Sequence, residues 1–408
     1  MCFFKRGQRS GVRGQRHPAP RTPHPAPRTA IAISGGIDSL VAACLLKESG
    51  HDLIGVHFTT GYERESFAEI RAQIREIGNQ LGIKTEVADC RSEFKSKVAD
   101  YFIRTYLNGQ TPNPCLVCNP CIKFGTLLDI ARRDFGASRL ATGHYARVIP
   151  NAGRLVETHG SASLQQDRCR VGMSSYKKKC PPEEDSHITR WRLLKGVDAK
   201  KDQSYFLAFL SQEQLASACF PLGELTKSQV REIAASKGLV PIVKAESQDV
   251  CFIRGTDYGE FLIRECGIKP EPGAIEDVNG KILGEHRGLH LFTVGQRRGI
   301  NCPAAEPYYV VRTDRKNNRL IVGLKQDLLV SECRVSGINW IAQEPASPVN
   351  VFVRVRYRHT AVSCTLFPAE PPQTALVRFD SPQSAVTPGQ GAVFYDGDEV
   401  LGGGWIEG

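Results

Sequence analysis

No uninterrupted apolar run in this 408-residue chain reaches the roughly 20 residues that a bilayer-crossing helix requires. That excludes a helical membrane protein. The lysine-bearing G-x-x-x-x-G-K-[ST] pattern is missing throughout, which excludes the ordinary kinase or GTPase phosphate loop. Phe3 and Phe4 have no apolar stretch behind them, so a secretory signal is not expected and the reading is a cytoplasmic protein. Acids are lacking from the first 28 residues, which carry seven basic side chains (Lys5, Arg6, Arg9, Arg13, Arg16, Arg21, Arg28) among prolines and glycines. Such a segment buries no core and is expected to be a disordered tail. Removing its seven charges from the net +10 leaves +3, so contact with nucleic acid must come from local basic patches, not from global charge.

What is there is ordinary globular material, 41% hydrophobic and 24% charged, in a length that predicts two or three domains. From residue 29 short apolar runs (29–33, 53–58, 84–88, 139–142) alternate with helical periodicities (38–47, 67–81, 124–135). This pattern predicts an α/β domain on a parallel sheet over 29–240. Residues 151–190 break it with Ser, Gln, Lys and Arg and read as a surface insertion. Helical patterns resume over 203–210 and 226–237. A small central domain is expected over 241–335. Short alternating strands between Pro/Gly turns over 336–408, among them 351–358, predict a C-terminal all-β barrel, and Asn317-Asn318 marks a hairpin.

Two features carry chemistry. Ser34-Gly35-Gly36-Ile37-Asp38-Ser39 sits between a strand and a helix. There glycines let backbone N–H groups approach phosphate, the helix dipole favours an anion, and Asp38 can serve a magnesium ion. Fourteen cysteines in a cytosolic protein point to metal, iron–sulfur or catalytic sulfur chemistry, not to a disulfide framework. Cys115, Cys118 and Cys121 follow C-x2-C-x2-C spacing among Pro112, Pro114 and Pro120, which are expected to forbid a helix until after Pro120. A structural zinc site on these three is the bland alternative. Cys251, in Cys251-Phe252-Ile253, lies far along the chain and can join them only through the fold.

The glycine loop resembles that of the PP-loop ATP pyrophosphatases, which adenylate an acceptor. Together with Thr111-Pro112-Asn113-Pro114, Ala141-Thr142-Gly143-His144-Tyr145, Lys201-Asp202-Gln203, Gly284-Glu285-His286, Thr293-Val294-Gly295-Gln296-Arg297 and Thr387-Pro388-Gly389-Gln390, in that order, it resembles the tRNA-specific 2-thiouridylases. The resemblance implies a PP-loop domain, a small central domain and a C-terminal β-barrel. It implies ATP and Mg²⁺ as cofactors, with tRNA, a sulfur donor and a reductant as partners and no membrane. It implies that Ala32, Ile33, Ser34, Gly35, Gly36, Ile37, Asp38, Ser39, Phe58 and Gly143 bind ATP. Asn113, Pro114 and Cys115 would surround the target base, and His144, Lys201, Asp202, Gln203, Arg356, Tyr357 and Gln390 would contact tRNA. Cys118 and Cys251 would be catalytic, the latter carrying a persulfide. The family commonly has Asp where this chain has Cys115. With three cysteines present, Cys115, Cys118 and Cys251 are also a ligand set for a [4Fe–4S] cluster, and both sulfur routes stay open on spacing alone. Rival readings are another PP-loop adenylating tRNA sulfurtransferase and a catalytically silent tRNA-binding homologue.

Overall fold

The computed structural model describes residues 28–151, 190–243, 250–253, 258–267 and 269–408. Of the expected basic tail over 1–28 and the expected insertion over 151–190, residues 1–27 and 152–189 lie outside the described residues, and Arg28 belongs to the first strand. The chain opens with β1 (Arg28–Ala32), α1 (Ile37–Glu48), β2 (Leu53–Thr59), α2 (Phe67–Leu81) and β3 (Lys84–Asp89). Two long helical stretches follow. The first joins α3 (Arg91–Phe94) through a π-helical turn to α4 (Asp100–Leu107), and the second joins α5 (Pro114–Cys118) through π-helical Asn119–Leu127 to α6 (Leu128–Phe135). Next come β4 (Ala137–Ala141), β5 (Ala146–Pro150), β6 (Trp191–Lys195), α7 (Gln212–Ser217), β7 (Ala218–Cys219) and α8 (Lys227–Ser236).

The first sheet is parallel, ordered β3-β2-β1-β4-β7. Alternation along its strands supplies two cores. Ala30, Ile54 and Val56 pack with Phe94, Phe102, Leu116 and Ile122 on one face. Ile31 and Ile33 pack with Leu40 of α1, Ile74 and Ile77 of α2 and Val230 of α8 on the other. Both faces are therefore covered, as parallel sheets require. α2 shows why the helices start where they do. Ser66 accepts from the Glu69 N–H while the Glu69 side chain returns to Ser66, and left-handed Gly82 ends the helix. The chain departs from β1 to both sides, toward β2 and toward β4, which opens a crevice at their carboxyl ends.

The second sheet, ordered β10-β11-β8-β9, follows α9 (Tyr258–Cys266) and uses β8 (Gly273–Asp277), β9 (Ile282–His286), β10 (Tyr309–Asp314) and β11 (Arg319–Gly323). The Asn317-Asn318 hairpin forms as expected, with Asp314 opposite Arg319 and Asn318 at φ 50. The C-terminal strands are β12 (Leu329–Trp340), β13 (Val349–Arg354), β14 (Val362–Ala369), β15 (Thr374–Ser384), β16 (Gly391–Asp396) and β17 (Glu399–Ile406). They run β12-β15-β14-β13-β16-β17 and close by pairing β17 back to β12. This is a barrel around Val335, Val353, Leu366, Val377 and Phe394. β17 is shared: Glu399 and Val400 pair with Leu194 and Leu193 of β6, while Gly402 to Ile406 pair with β12. Strand pairing thus stitches the barrel to the first domain, and Arg192 to Glu399 (2.6 Å) and Arg147 to Asp398 (2.8 Å) reinforce the seam.

Three expectations from sequence need correction. A helix runs straight through the cysteine segment. Pro114 occupies its first turn, where no N–H is needed, and Pro120 is tolerated because a wider π-helical turn begins at Asn119. The apolar spacing at 203–210 yields only a short 3-10 turn at Ser204–Leu207, and the α-helix starts later, at the Ser211 capping box. The strand expected over 351–358 stops at Arg354.

Candidate active site

The loop after β1 holds itself in shape. The Ser39 hydroxyl, buried in the first turn of α1, donates to the Gly36 carbonyl (2.8 Å) and accepts from the Ser34 N–H (3.3 Å). Gly35 sits at φ 78, a left-handed conformation that glycine takes without strain. Helices α2, α7 and α8 each carry a capping box, whereas α1 begins at Gly36 with no side-chain cap. Its first N–H groups therefore offer an anion site into the crevice. Gly143, just past β4, abuts this loop. A Cβ there would lie 2.9 Å from the Asp38 carbonyl carbon and 3.0 Å from the Ser39 nitrogen. Ala32 ends β1, Ile33 is buried, and Phe58 near the end of β2 is half-buried against the main core.

Asp38 has protein partners of its own. Both its oxygens accept from the buried Lys227 ammonium (2.7 and 2.8 Å), and one also accepts from the Tyr145 hydroxyl (2.7 Å). These contacts hold the Asp38 carboxylate at the start of α1, beside the phosphate loop. Sequence reasoning gave Lys227 no role. The available signal was a lysine directly after the Thr226 N-cap, where the helix dipole disfavours a cation and a carboxylate partner is needed.

On the cysteine helix Cys118 is buried while Cys115 and Cys121 are half-buried, and Cys251 is exposed on a turn. Cys251 belongs to the same neighbourhood. Phe252 packs its ring 5.3–5.5 Å from those of Phe102, Phe94, Phe261 and Tyr62, in the core that contains Cys118 and Ile122. Burial pushes the Cys115 thiol up to about 11, and the negative charge of Cys251 adds to the rise. Burial raises Cys118 further still, with Lys123 opposing and Cys251 and Cys115 assisting. The sulfurs at 115, 118 and 251 thus feel one another's charge across one site. Among the described residues no three of His, Cys, Asp or Glu stand close enough to hold a metal ion. As placed, Cys115, Cys118 and Cys121 do not form a zinc site.

Lys123, to which the sequence assigned no role, is the cation of this site. Its ammonium lies 3.4 Å from His144 Nε2, and His144 Nδ1 lies 2.7 Å from the Thr142 hydroxyl. An ammonium only donates, so Nε2 accepts and Nδ1 carries the proton toward Thr142. Burial, then the Lys123 charge, holds His144 well below its usual range, neutral at physiological pH.

The remaining candidates divide by exposure. Gln390 donates to the carbonyls of Thr111 (3.2 Å) and Pro112 (3.0 Å), and the Thr111 N–H donates to Pro388 (2.9 Å). Barrel residues thereby brace the lead-in to the cysteine helix. Asn113 is buried and donates its N–H to the Tyr101 hydroxyl, and Pro114 beside it is buried too. Gln203 reads the backbone of Tyr145 through both its own N–H and its side chain. Asp202 is buried: it accepts from the N–H groups of Gly196 and Ser204, from the Ser204 hydroxyl, and from Arg354 at 2.8 Å. Lys201 is half-buried and Arg356 exposed. Tyr357 lies 4.2 Å from the Phe206 ring, close enough to Cys115 to feel its charge. A cavity of about 670 Å³ that sequence did not suggest opens beside Phe252, between Tyr62, Arg64, Arg91 and Arg264.

Comparison with known proteins agrees with this arrangement. Residues 27–255 match the family model described as a tRNA methyl transferase HUP domain. Residues 260–324 match a tRNA methyl transferase PRC-barrel domain, and 330–406 an aminomethyltransferase beta-barrel domain. The chain is 49% identical to the tRNA-specific 2-thiouridylase MnmA of Desulfosudis oleivorans, over 92% of this chain and 94% of that one. It is 43% identical to the protein of that name from Syntrophotalea carbinolica (92% and 97% covered) and 38% identical to that from Nostoc punctiforme (92% and 98%). With relatives 38–49% identical over 92% of its length, the chain belongs to the tRNA-specific 2-thiouridylase family.

Proposed function

We propose that the protein is an ATP-dependent tRNA-uridine 2-sulfurtransferase that adenylates the C2 oxygen of a uridine, at the wobble position, and replaces it with sulfur. A uridine C2 oxygen leaves poorly, and adenylation converts it into AMP with loss of pyrophosphate. The loop from Ala32 to Ser39 takes the ATP phosphates, Mg²⁺ entering with them, while Phe58 and Gly143 border the nucleotide. Asn113, Pro114 and Cys115 flank the base, and His144, Lys201, Gln203, Arg356 and Tyr357 contact the tRNA. Gln390 acts there through the backbone it holds, and buried Asp202 serves the fold through Gly196, Ser204 and Arg354.

The sulfur route proposed is a persulfide on Cys251, loaded by a donor protein. Its terminal sulfur attacks C2, and AMP departs with the C–O bond's electrons. The Cys118 thiolate then attacks the Cys251 sulfur, and the S–S bond's electrons leave with the thiolated base. The resulting Cys118–Cys251 disulfide needs an external dithiol to reopen it. Exposure suits Cys251 to meeting a donor, and burial suits Cys118 to acting only once the base is seated. The observation that carries the reading is the meeting of the Cys251 turn with the cysteine helix, in a chain of this family. The test is nucleoside analysis of tRNA from a deletion strain complemented with the wild type, Cys118→Ser or Cys251→Ser. The expected result is 2-thiouridine restored by the wild type alone; unchanged 2-thiouridine in the deletion strain would reject the function.

A further inference from the structure

The Thr293-Val294-Gly295-Gln296-Arg297 motif has no part in the site above, yet its geometry is tightly built. Gln296 spends its whole side chain on one turn. Its carbonyl oxygen accepts from the Thr293 N–H (3.1 Å), and its amide donates to the carbonyls of Arg298 (2.8 Å) and Leu291 (3.3 Å). Gly295 and Gln296 also pair with Val310 of β10 through two backbone bonds. The turn so fixed presents Arg297 and Arg298 to solvent, and neither guanidinium has an ion pair or hydrogen bond among the described residues.

Arg312 joins them for a separate reason. A register shift between Val310 and Arg312 interrupts the strand's alternation, so that Arg312 is exposed two positions after fully buried Val310. Bulges commonly re-aim a side chain in this way. Between Arg287 and Thr313 the only acid is Glu306, so this stretch carries an excess of positive charge in a chain whose folded part is nearly balanced. Adjacent Arg297 and Arg298 on the braced turn, with Arg312 on the strand that the turn pairs with, suit phosphate oxygens, which the planar fork binds in pairs.

Position identifies which phosphates. A Cβ on Gly295 would lie 2.9 Å from that of Ala385, at the end of the strand leading to the Pro388–Gln390 brace. On the other side of the same small sheet, Thr313 donates to the Gly109 carbonyl (3.0 Å), two residues before the braced Thr111. The turn thus touches the barrel strand that leads to the Thr111 brace, and the strand it pairs with bonds to the segment before the cysteine helix.

From this we infer that Arg297, Arg298 and Arg312 form a phosphodiester-binding patch that holds the tRNA backbone while the target base enters the cysteine site. The inference rests on the proposed function for the identity of the nucleic acid. The test uses the full-length protein and an unmodified tRNA transcript, with affinity measured across a salt series. Arg297→Gln/Arg298→Gln is expected to weaken binding about tenfold at low salt and to flatten the log Kd–log salt slope by about two. The rate at saturating tRNA, ATP affinity and unfolding midpoint should be unchanged, and Arg297→Lys/Arg298→Lys should keep most of the slope. An unaltered slope in the Gln variant overturns the patch. So does loss of sulfur delivery with tRNA affinity intact, which would put an acidic protein partner there instead. A wild-type protein that binds no tRNA would fail the proposed function itself, a result separate from either.

Discussion

Replacing Arg354 by Met should destabilise the protein by about 3 kcal/mol without touching any group that meets the base. The Asp202 carboxylate is 1% exposed and Arg354 14%, so the pair is screened little by solvent. Breaking a buried pair from one side typically costs about 3–5 kcal/mol, because the remaining charge is stranded. Here the lower end applies, since Gly196 and Ser204 still give Asp202 three hydrogen bonds. Arg354 also lies 5.3 Å over the Tyr395 ring, which adds a smaller loss. Urea unfolding of wild type, Arg354→Met, Asp202→Asn and the double variant completes a cycle. Its coupling energy should exceed about 1.5 kcal/mol, with tRNA affinity of the folded variants near wild type. Asp202→Asn that leaves the urea midpoint unmoved but weakens tRNA binding would refute the reasoning and return Asp202 to the tRNA surface.

Gly143→Ala pushes a Cβ against the Asp38 and Ser39 backbone at 2.9–3.0 Å, an overpacking of about 1–3 kcal/mol; isothermal titration should show weaker ATP binding with tRNA binding kept. His144 is buried neutral with its pKa held below 6.5, so its contribution to stability is present above pH 6.5 and is lost as pH falls and the unfolded chain takes up a proton first. His144→Gln should flatten that acid limb of the urea midpoint. Lys123→Met removes the cation that opposes the rise of the Cys115 and Cys118 thiols. Alkylation of Cys115 at pH 8 should slow several-fold, with its pH profile moved to higher pH.

Much of the first domain was legible because its signals are local. A strand, two glycines and a helix predict the phosphate loop from adjacent residues, and α2 declares itself through four apolar residues on one face, Ile70, Ile74, Ile77 and Leu81. The barrel was legible from alternation: Val351, Val353 and Val355 do turn inward. What failed was non-local or rule-breaking. The helix through Pro114 and Pro120 survives only by widening to a π turn, a choice that propensity penalises. Asp202 reads as a solvated helix start until Arg354, 152 residues away, arrives beside it. The seam between β6 and β17 joins strands whose Arg192 and Glu399 are 207 residues apart. Lys227 and Lys123 drew no notice because a lysine looks like surface until its partner, Asp38 or His144, is placed.

The convergence of Cys118 and Cys251 is tested most directly by a single turnover without reductant. The protein is loaded with sulfane sulfur, mixed with tRNA and ATP, quenched in acid and mapped by non-reducing peptide mass spectrometry. A Cys118–Cys251 linkage accumulating in step with 2-thiouridine is predicted, and its reopening by added dithiol should restore a second turnover. Thiolated tRNA formed while both side chains remain reduced would contradict the account.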